Sequence, residues 1–177
     1  MGSAASAEGK ASPRRGGVTS YQIYRQGGTT PELAFTVSLV LAARRWRSLL
    51  DEALRPIEQS AARMEALAAI INSPPLPAQI DIARRLRIEG PTLTRMLDTL
   101  EADGLVERLA DPTDRRTKQL RVTGEGEAAL ERIFAIADDL RARLLDGLDD
   151  ETIAHTNRLF AGLMAKLDAG LPPADDG

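Results

Sequence analysis

Residues 88–126 read IEGPTLTRMLDTLEADGLVERLADPTDRRTKQLRVTGEG, and this stretch decides the fold. Pro91 suits the first turn of a helix that closes at Asp103-Gly104, where Gly104 fits the left-handed position after a helix end. Two short strand-like runs follow, Val106 to Leu109 and Lys118 to Val122. In the second, Leu120 and Val122 alternate with Gln119 and Arg121, the period-two pattern of a half-buried strand. The loop between the runs is Asp111-Pro112-Thr113-Asp114-Arg115-Arg116. Thr123 then caps a long helix with Glu125 and Glu127 in its first turn.

Working outward, Ile80, Ala83 and Leu86 mark a short helix upstream of the break at Ile88-Glu89-Gly90. Pro74, Pro75 and Pro77 separate it from an earlier helix that Ser60 caps and that carries Met64, Leu67, Ile70 and Ile71. The first long helix begins at Thr30-Pro31-Glu32, runs through Leu33, Val37, Val40, Leu41, Trp46, Leu49 and Leu50, and stops at Pro56. Downstream, Gly147 breaks the chain, and Asp149 or Asp150 caps a last helix with Ile153, Leu159, Phe160, Leu163, Met164 and Leu167 on one side. The reading is a mainly α chain. A winged helix-turn-helix with a two-stranded β-wing occupies 75–122, flanked by the helices of 30–74 and 123–170. Residues 1–29 and 171–177 read as flexible tails. Within the first, 20–29 is left open as a docked segment anchored by Tyr21 and Tyr24. The outer helices carry more apolar surface than so small a domain covers, which points to a second copy of the chain and a dimerisation domain.

Composition removes several function classes. The chain has 177 residues, no cysteine and one histidine, His155. A disulfide scaffold, a thiol switch and every thiolate metal site are excluded, and no metal or other cofactor is expected. No nucleophile–base pair or phosphate-cradling glycine loop is present, so an enzyme is not expected. No apolar run approaches the roughly 18 residues of a membrane span, and the expected location is the cytoplasm. The net charge of −3 means that any nucleic-acid binding rests on a local patch.

That patch is sought on the helix opened by Pro91. At 100° per residue, Leu93, Met96, Leu97 and Leu100 share an arc about 100° wide, facing a core. Pro91, Thr94, Arg95 and Asp98 lie opposite, with Thr92 on the flank. A helix reading DNA needs such a face: a positive N-terminal end toward phosphate, hydroxyls, and an arginine able to pair with guanine. An ordinary surface helix in an α-hairpin shows the same face, and periodicity does not separate the two. The loop tilts the balance. Arg115 and Arg116 sit at its tip, with Arg108, Lys118 and Arg121 on the strands behind, and a tip arginine suits a narrow minor groove. Residues 75–122 hold nine basic and eight acidic residues, against five and twelve in 123–177. The charge is nearly balanced, so the arginines must be concentrated by geometry and two copies are needed for affinity.

Taken together, residues 88–98, 100–106, 111–116 and 120–126 resemble the MarR family of bacterial transcription regulators, and the likeness in helix order extends over roughly 30–168. The resemblance implies a homodimer bound to double-stranded operator DNA, associated with the nucleoid. By position it implies DNA contacts from Gln79, Pro91, Thr92, Thr94 and Arg95, with Arg116 entering the minor groove and Asp114 bracing it; Arg115, beside it at the loop tip, joins the DNA-contact candidates from the loop itself. Pro77-Ala78 replaces the family's usual Thr or Ser cap, and Glu89 replaces a more usual Ser. The resemblance also implies repression relieved by a small aromatic or anionic effector, such as an aromatic acid or its thioester. Candidate ligand residues are Phe35, Arg44, Trp46 and Met64. Each has a plainer reading: Trp46 and Met64 lie on core stripes, and Arg44 sits in the solvated run Arg44-Arg45-Trp46-Arg47. Two other readings stay open. One is a winged helix that mates with a partner protein, and the other an architectural DNA binder without a ligand.

Overall fold

The computed structural model describes residues 19–114 and 117–171. The chain divides into two compact units, 1–49 and 50–177. The first holds α1 (Ser20–Arg25) and most of α2 (Pro31–Leu54). The Thr30 hydroxyl accepts from the Leu33 N–H at 3.2 Å, the cap that the sequence led us to expect. Helix α1 was not expected in a segment read as tail. A capping box makes it: the Thr19 hydroxyl accepts from the Gln22 N–H, and the Gln22 side chain accepts from the Thr19 N–H at 2.8 Å. Tyr21 and Tyr24 stay exposed and, with Leu33 and Val37, line a shallow apolar hollow.

The second unit begins with Leu50 and Leu54, both buried at the end of α2. A single 3-10 turn, Arg55–Ile57, holds the proline that stops the helix. Then come α3 (Ala61–Ile71), α4 (Gln79–Leu86), α5 (Gly90–Ala102), β1 (Val106–Ala110), β2 (Lys118–Val122), α6 (Gly124–Leu144) and α7 (Asp150–Ala169). Ser60 caps α3, and the Asp51 carboxylate accepts a second N–H from Ala61 at 2.7 Å. Helix α3 is the centre of the unit and touches α4, α5, α6 and β2. Its Leu67 and Ile70 meet a core that includes Ile82, Leu93, Leu97, Leu100, Val106, Leu120 and Ile133. Each of these side chains contributes about 1.5–3 kcal/mol by leaving water.

The wing is an antiparallel pair with Val106 opposite Val122 and Ala110 opposite Lys118. It has a third, minimal member. Ala78 bridges Gln119, and the Pro77 carbonyl accepts from the Leu120 N–H at 3.0 Å. This gives Pro77-Ala78 a role: the segment supplies sheet backbone, and Ala78 caps α4 with no side-chain bond. Gly104 takes φ +72 after α5, the left-handed conformation expected there. Helix α5 starts one residue before Pro91, with Glu89 as its N-cap and no side-chain cap bond.

Helix α6 leaves the wing at a very close approach. The Thr123 N–H donates to the Leu105 carbonyl at 3.0 Å, and the Thr123 hydroxyl donates to the Gly104 carbonyl at 2.6 Å. That clamp pulls the first turn of α6 onto Leu105. A Cβ added to Gly126 would lie 2.1 Å from the Leu105 oxygen and 2.6 Å from Val122 Cγ1. Gly126→Ala is therefore expected to destabilise the fold by at least the 1–3 kcal/mol typical of roughly one overpacked methyl. Denaturant unfolding checks this, with Gly162→Ala as the control, since a Cβ there meets nothing within 4 Å.

Candidate nucleic-acid interface

Burial of one face of α5 sets the face that remains. Leu93, Leu97 and Leu100 are buried and Met96 is half-buried, while Pro91, Thr92, Thr94, Arg95 and Asp98 are exposed. The geometry brings together two of the residues singled out from the sequence. Gln79, the first residue of α4, donates its side-chain N–H to the Thr94 hydroxyl oxygen at 2.8 Å. The Thr94 hydroxyl in turn donates to the Gly90 carbonyl at 3.0 Å. Thr94 thus has its proton committed within its own helix. The Thr92 and Arg95 side chains form no hydrogen bond or ion pair among the described residues. They are the free donors of this face.

Beside them lies a cleft lined by Gln79, Ile80, Ala83, Gly90, Thr117 and Lys118. The first turns of α4 and α5 both contribute to it, neither capped by a side chain. Both helix N-termini present a positive dipole end, although the Asp81 and Thr92 N–H groups already donate to the Ala78 and Glu89 carbonyls, and Lys118 adds a full charge. This arrangement favours an anion. Lys118 was noted in the sequence only as background charge, while Ile80 and Gly90 carried no functional signal there.

The wing turn is organised by a residue to which the sequence reading gave no role. Asp111 Oδ1 accepts from the Thr113 hydroxyl at 2.6 Å and from the Thr113 and Asp114 N–H groups at 2.7 and 3.0 Å. Its Oδ2 accepts from the Gln119 amide at 2.8 Å. The Thr113 hydroxyl, then the backbone donors and Gln119, hold the Asp111 carboxyl below its ordinary pKa. The motif Asp-Pro-Thr-Asp was a signal for this, since Asp side chains close turns on backbone N–H groups two and three residues on. Asp114 accepts from the Thr117 hydroxyl at 2.9 Å. Arg115 and Arg116 lie outside the described residues.

The arginines expected behind the wing tip are engaged within the fold. Arg121 pairs with Glu107, its partner across the ladder. Arg108 pairs with Asp98 and Glu101. The expected concentration of free positive charge on both strands is corrected: of the three, Lys118 remains for the cleft. Register sets Arg121 opposite Glu107, while Arg108, opposite Leu120 in the ladder, is taken by the carboxylates of α5.

The four candidate ligand residues are divided between the two units. Phe35, Arg44 and Trp46 belong to the first unit and Met64 to the second. On α2, Phe35 and Trp46 are eleven residues apart and share a face, whereas Arg44 lies nine residues from Phe35, on the opposite side. Arg44 instead borders a shallow groove with Thr36, Val37, Val40 and Leu41. His155 is exposed on α7, and no cluster among the described residues could hold a metal ion. No helix among them is long and apolar enough to cross a membrane.

Comparison with known proteins bears on this face. The sequence model of the MarR family matches residues 60–118, a span from the cap of α3 to the first residue of β2. The chain is similar to the transcriptional regulator PA3341, with 34% identity and a TM-score of 0.69 over 77% of this chain and 99% of that one. It is similar to a mutant MarR from E. coli in complex with operator DNA, with 26% identity and a TM-score of 0.68 over 75% of this chain and 94% of that one. A third similar structure is the transcriptional repressor CouR bound to a 23-mer DNA duplex, with 27% identity and a TM-score of 0.67, covering 72% of this chain and 89% of the other. With the winged helix in place and a relative this similar covered almost end to end, the chain belongs to the MarR family of transcriptional regulators.

Proposed function

We propose that this chain is a homodimeric, sequence-specific DNA-binding regulator that reads a pseudo-palindromic operator with α5 and steadies itself with the wing. The observation that carries this is the exposed arc of α5. Thr92 and Arg95 stand free there, beside the Gln79–Thr94 pair and the cleft of two uncapped helix N-termini. Phosphate fits that cleft, and base edges fall to Thr92 and Arg95. Arg115 and Arg116 are assigned to the wing tip from the sequence, with Asp114 beside them. The solved complexes of MarR and CouR with DNA support the same reading.

Two copies are needed for a physical reason. Helix α7 has no buried residue, yet it carries Leu159, Phe160, Met164 and Leu167. A 20-residue helix with an unpartnered apolar face is a surface waiting to be covered. A second copy covers it and places two reading helices about 34 Å apart, one turn of DNA. We further propose repression, by likeness to CouR, and relief by a small aromatic anion. Phe35, Arg44, Trp46 and Met64 are its candidate contacts.

The test is binding to duplex DNA from upstream of the chain's own coding sequence, over a salt series, beside a scrambled duplex. Selective binding that weakens steeply with salt is expected. Binding with no selectivity at any salt contradicts the reading and favours a protein partner. Arg95→Ala is expected to cost about 1–3 kcal/mol on the selective duplex and to relax discrimination; unchanged binding on both duplexes removes Arg95 as a reading residue.

Two further outcomes concern α7 and the wing turn. Leu167→Glu, at an exposed position, should leave each copy folded but shift sedimentation toward the 19.1 kDa monomer. For the wing, the lowered Asp111 pKa means that its bonds favour the folded turn fully above the ordinary Asp value. This contribution disappears as the pH falls through the lowered value. Amide exchange at Thr113 and Asp114, after correction for the intrinsic pH dependence, should lose protection in acid. Asp111→Ala should show the loss already at neutral pH.

A further inference from the structure

Arg108 stands in β1 against α5, with its side chain 18% exposed. One guanidinium nitrogen lies 2.6 Å from Asp98 Oδ1 and 3.4 Å from Glu101 Oε2. The other donates to the Thr94 backbone carbonyl at 3.0 Å. The Arg108 N–H donates to Glu101 Oε1 at 3.2 Å. A single planar group therefore grips α5 from Thr94 to Glu101, about 10 Å of helix. Thr94 is also the residue whose hydroxyl takes the Gln79 bond. The contacts thus run from α4 through the reading turn of α5 to the wing strand.

The sequence placed Arg108 among the basic residues around the wing, where a phosphate contact is the obvious role. The geometry points elsewhere. Both terminal nitrogens are already bonded inside the fold, one of them between two carboxylates, and a phosphate would have to displace these. The fork needs an arginine: lysine brings one point charge and cannot hold Thr94 and Asp98 at once with two fixed nitrogens. We infer that Arg108 is a positioning residue. It fixes the reading helix against the wing so that Thr92, Arg95 and the wing tip meet DNA in one register, and it does not bind phosphate itself.

This inference rests on the DNA-reading proposal, and its test separates the two. Wild type, Arg108→Met and Arg108→Lys are titrated over a salt series against the upstream duplex and its scrambled counterpart. Circular dichroism confirms folding. In Arg108→Met, affinity for the upstream duplex should fall roughly tenfold. Affinity for scrambled DNA should stay within about twofold, and the slope of log affinity against log salt should not change. Arg108→Lys should lose part of the discrimination. If both duplexes are lost together and the slope drops by about one, Arg108 is a phosphate contact and the inference fails. It fails too if discrimination is intact. Should Arg108→Met not fold, Asp98→Asn with Glu101→Gln removes the acceptors and keeps the arginine. Discrimination must then fall without loss of scrambled binding, and unchanged discrimination overturns the inference. A wild-type chain that does not discriminate at all overturns the DNA-reading proposal instead.

Discussion

The rest of the structure depends on the burial of one stripe of α5. Leu93, Leu97 and Leu100 recur at intervals of four and three residues, and all three are fully covered in a core that α3, the wing strands and α6 share. Turning α5 by even one residue's angle would drive a threonine or an arginine into that core, at a cost of several kcal/mol for a buried unpaired group. The opposite arc is thereby held outward with its side chains fixed in direction. A face whose orientation is set by apolar packing can present polar groups to a partner without spending them on stability.

The polar contacts then divide the two ends of the helix. At the C-terminal end, Asp98, Glu101 and Asp103 are tied to arginines from β1 and α3, with Arg63 reaching Asp103 at 2.5 Å. At the N-terminal end, the Thr92 and Arg95 side chains have no partner among the described residues. The carboxylates at the C-terminal end are neutralised within the fold, while Glu89 at the N-cap has no ion pair among the described residues. That division lets a chain of net charge −3 keep a locally favourable surface for a polyanion.

The sequence made the elements of this plan readable where the signals are local. The Thr30, Ser60, Thr123 and Asp149 caps, the turn at Gly104 and the outward arc of α5 all follow from spacing within a few residues. Helix α1 was legible too, because Thr19 and Gln22 form a capping box, but a composition rich in small residues drew the reading toward a tail. What could not be read were contacts fixed by packing at long separation. Nothing local announces that Pro77-Ala78 joins the sheet opposite Gln119, or that Gly126 is forced by the Leu105 carbonyl. The Glu107–Arg121 pair was within reach, since matching Val106 with Val122 sets those charges opposite each other. Counting basic residues without that register overstated the charge available on the wing.

The central claim is that α5 of two copies reads two half-sites on one face of a duplex. Hydroxyl-radical footprinting of the wild-type chain on its upstream DNA tests it most directly. The account predicts two protected patches on the same face of the DNA, about one helical turn apart, with weaker protection of the flanking minor groove where the wings sit. A single unpaired patch, or uniform protection along the fragment, would contradict it.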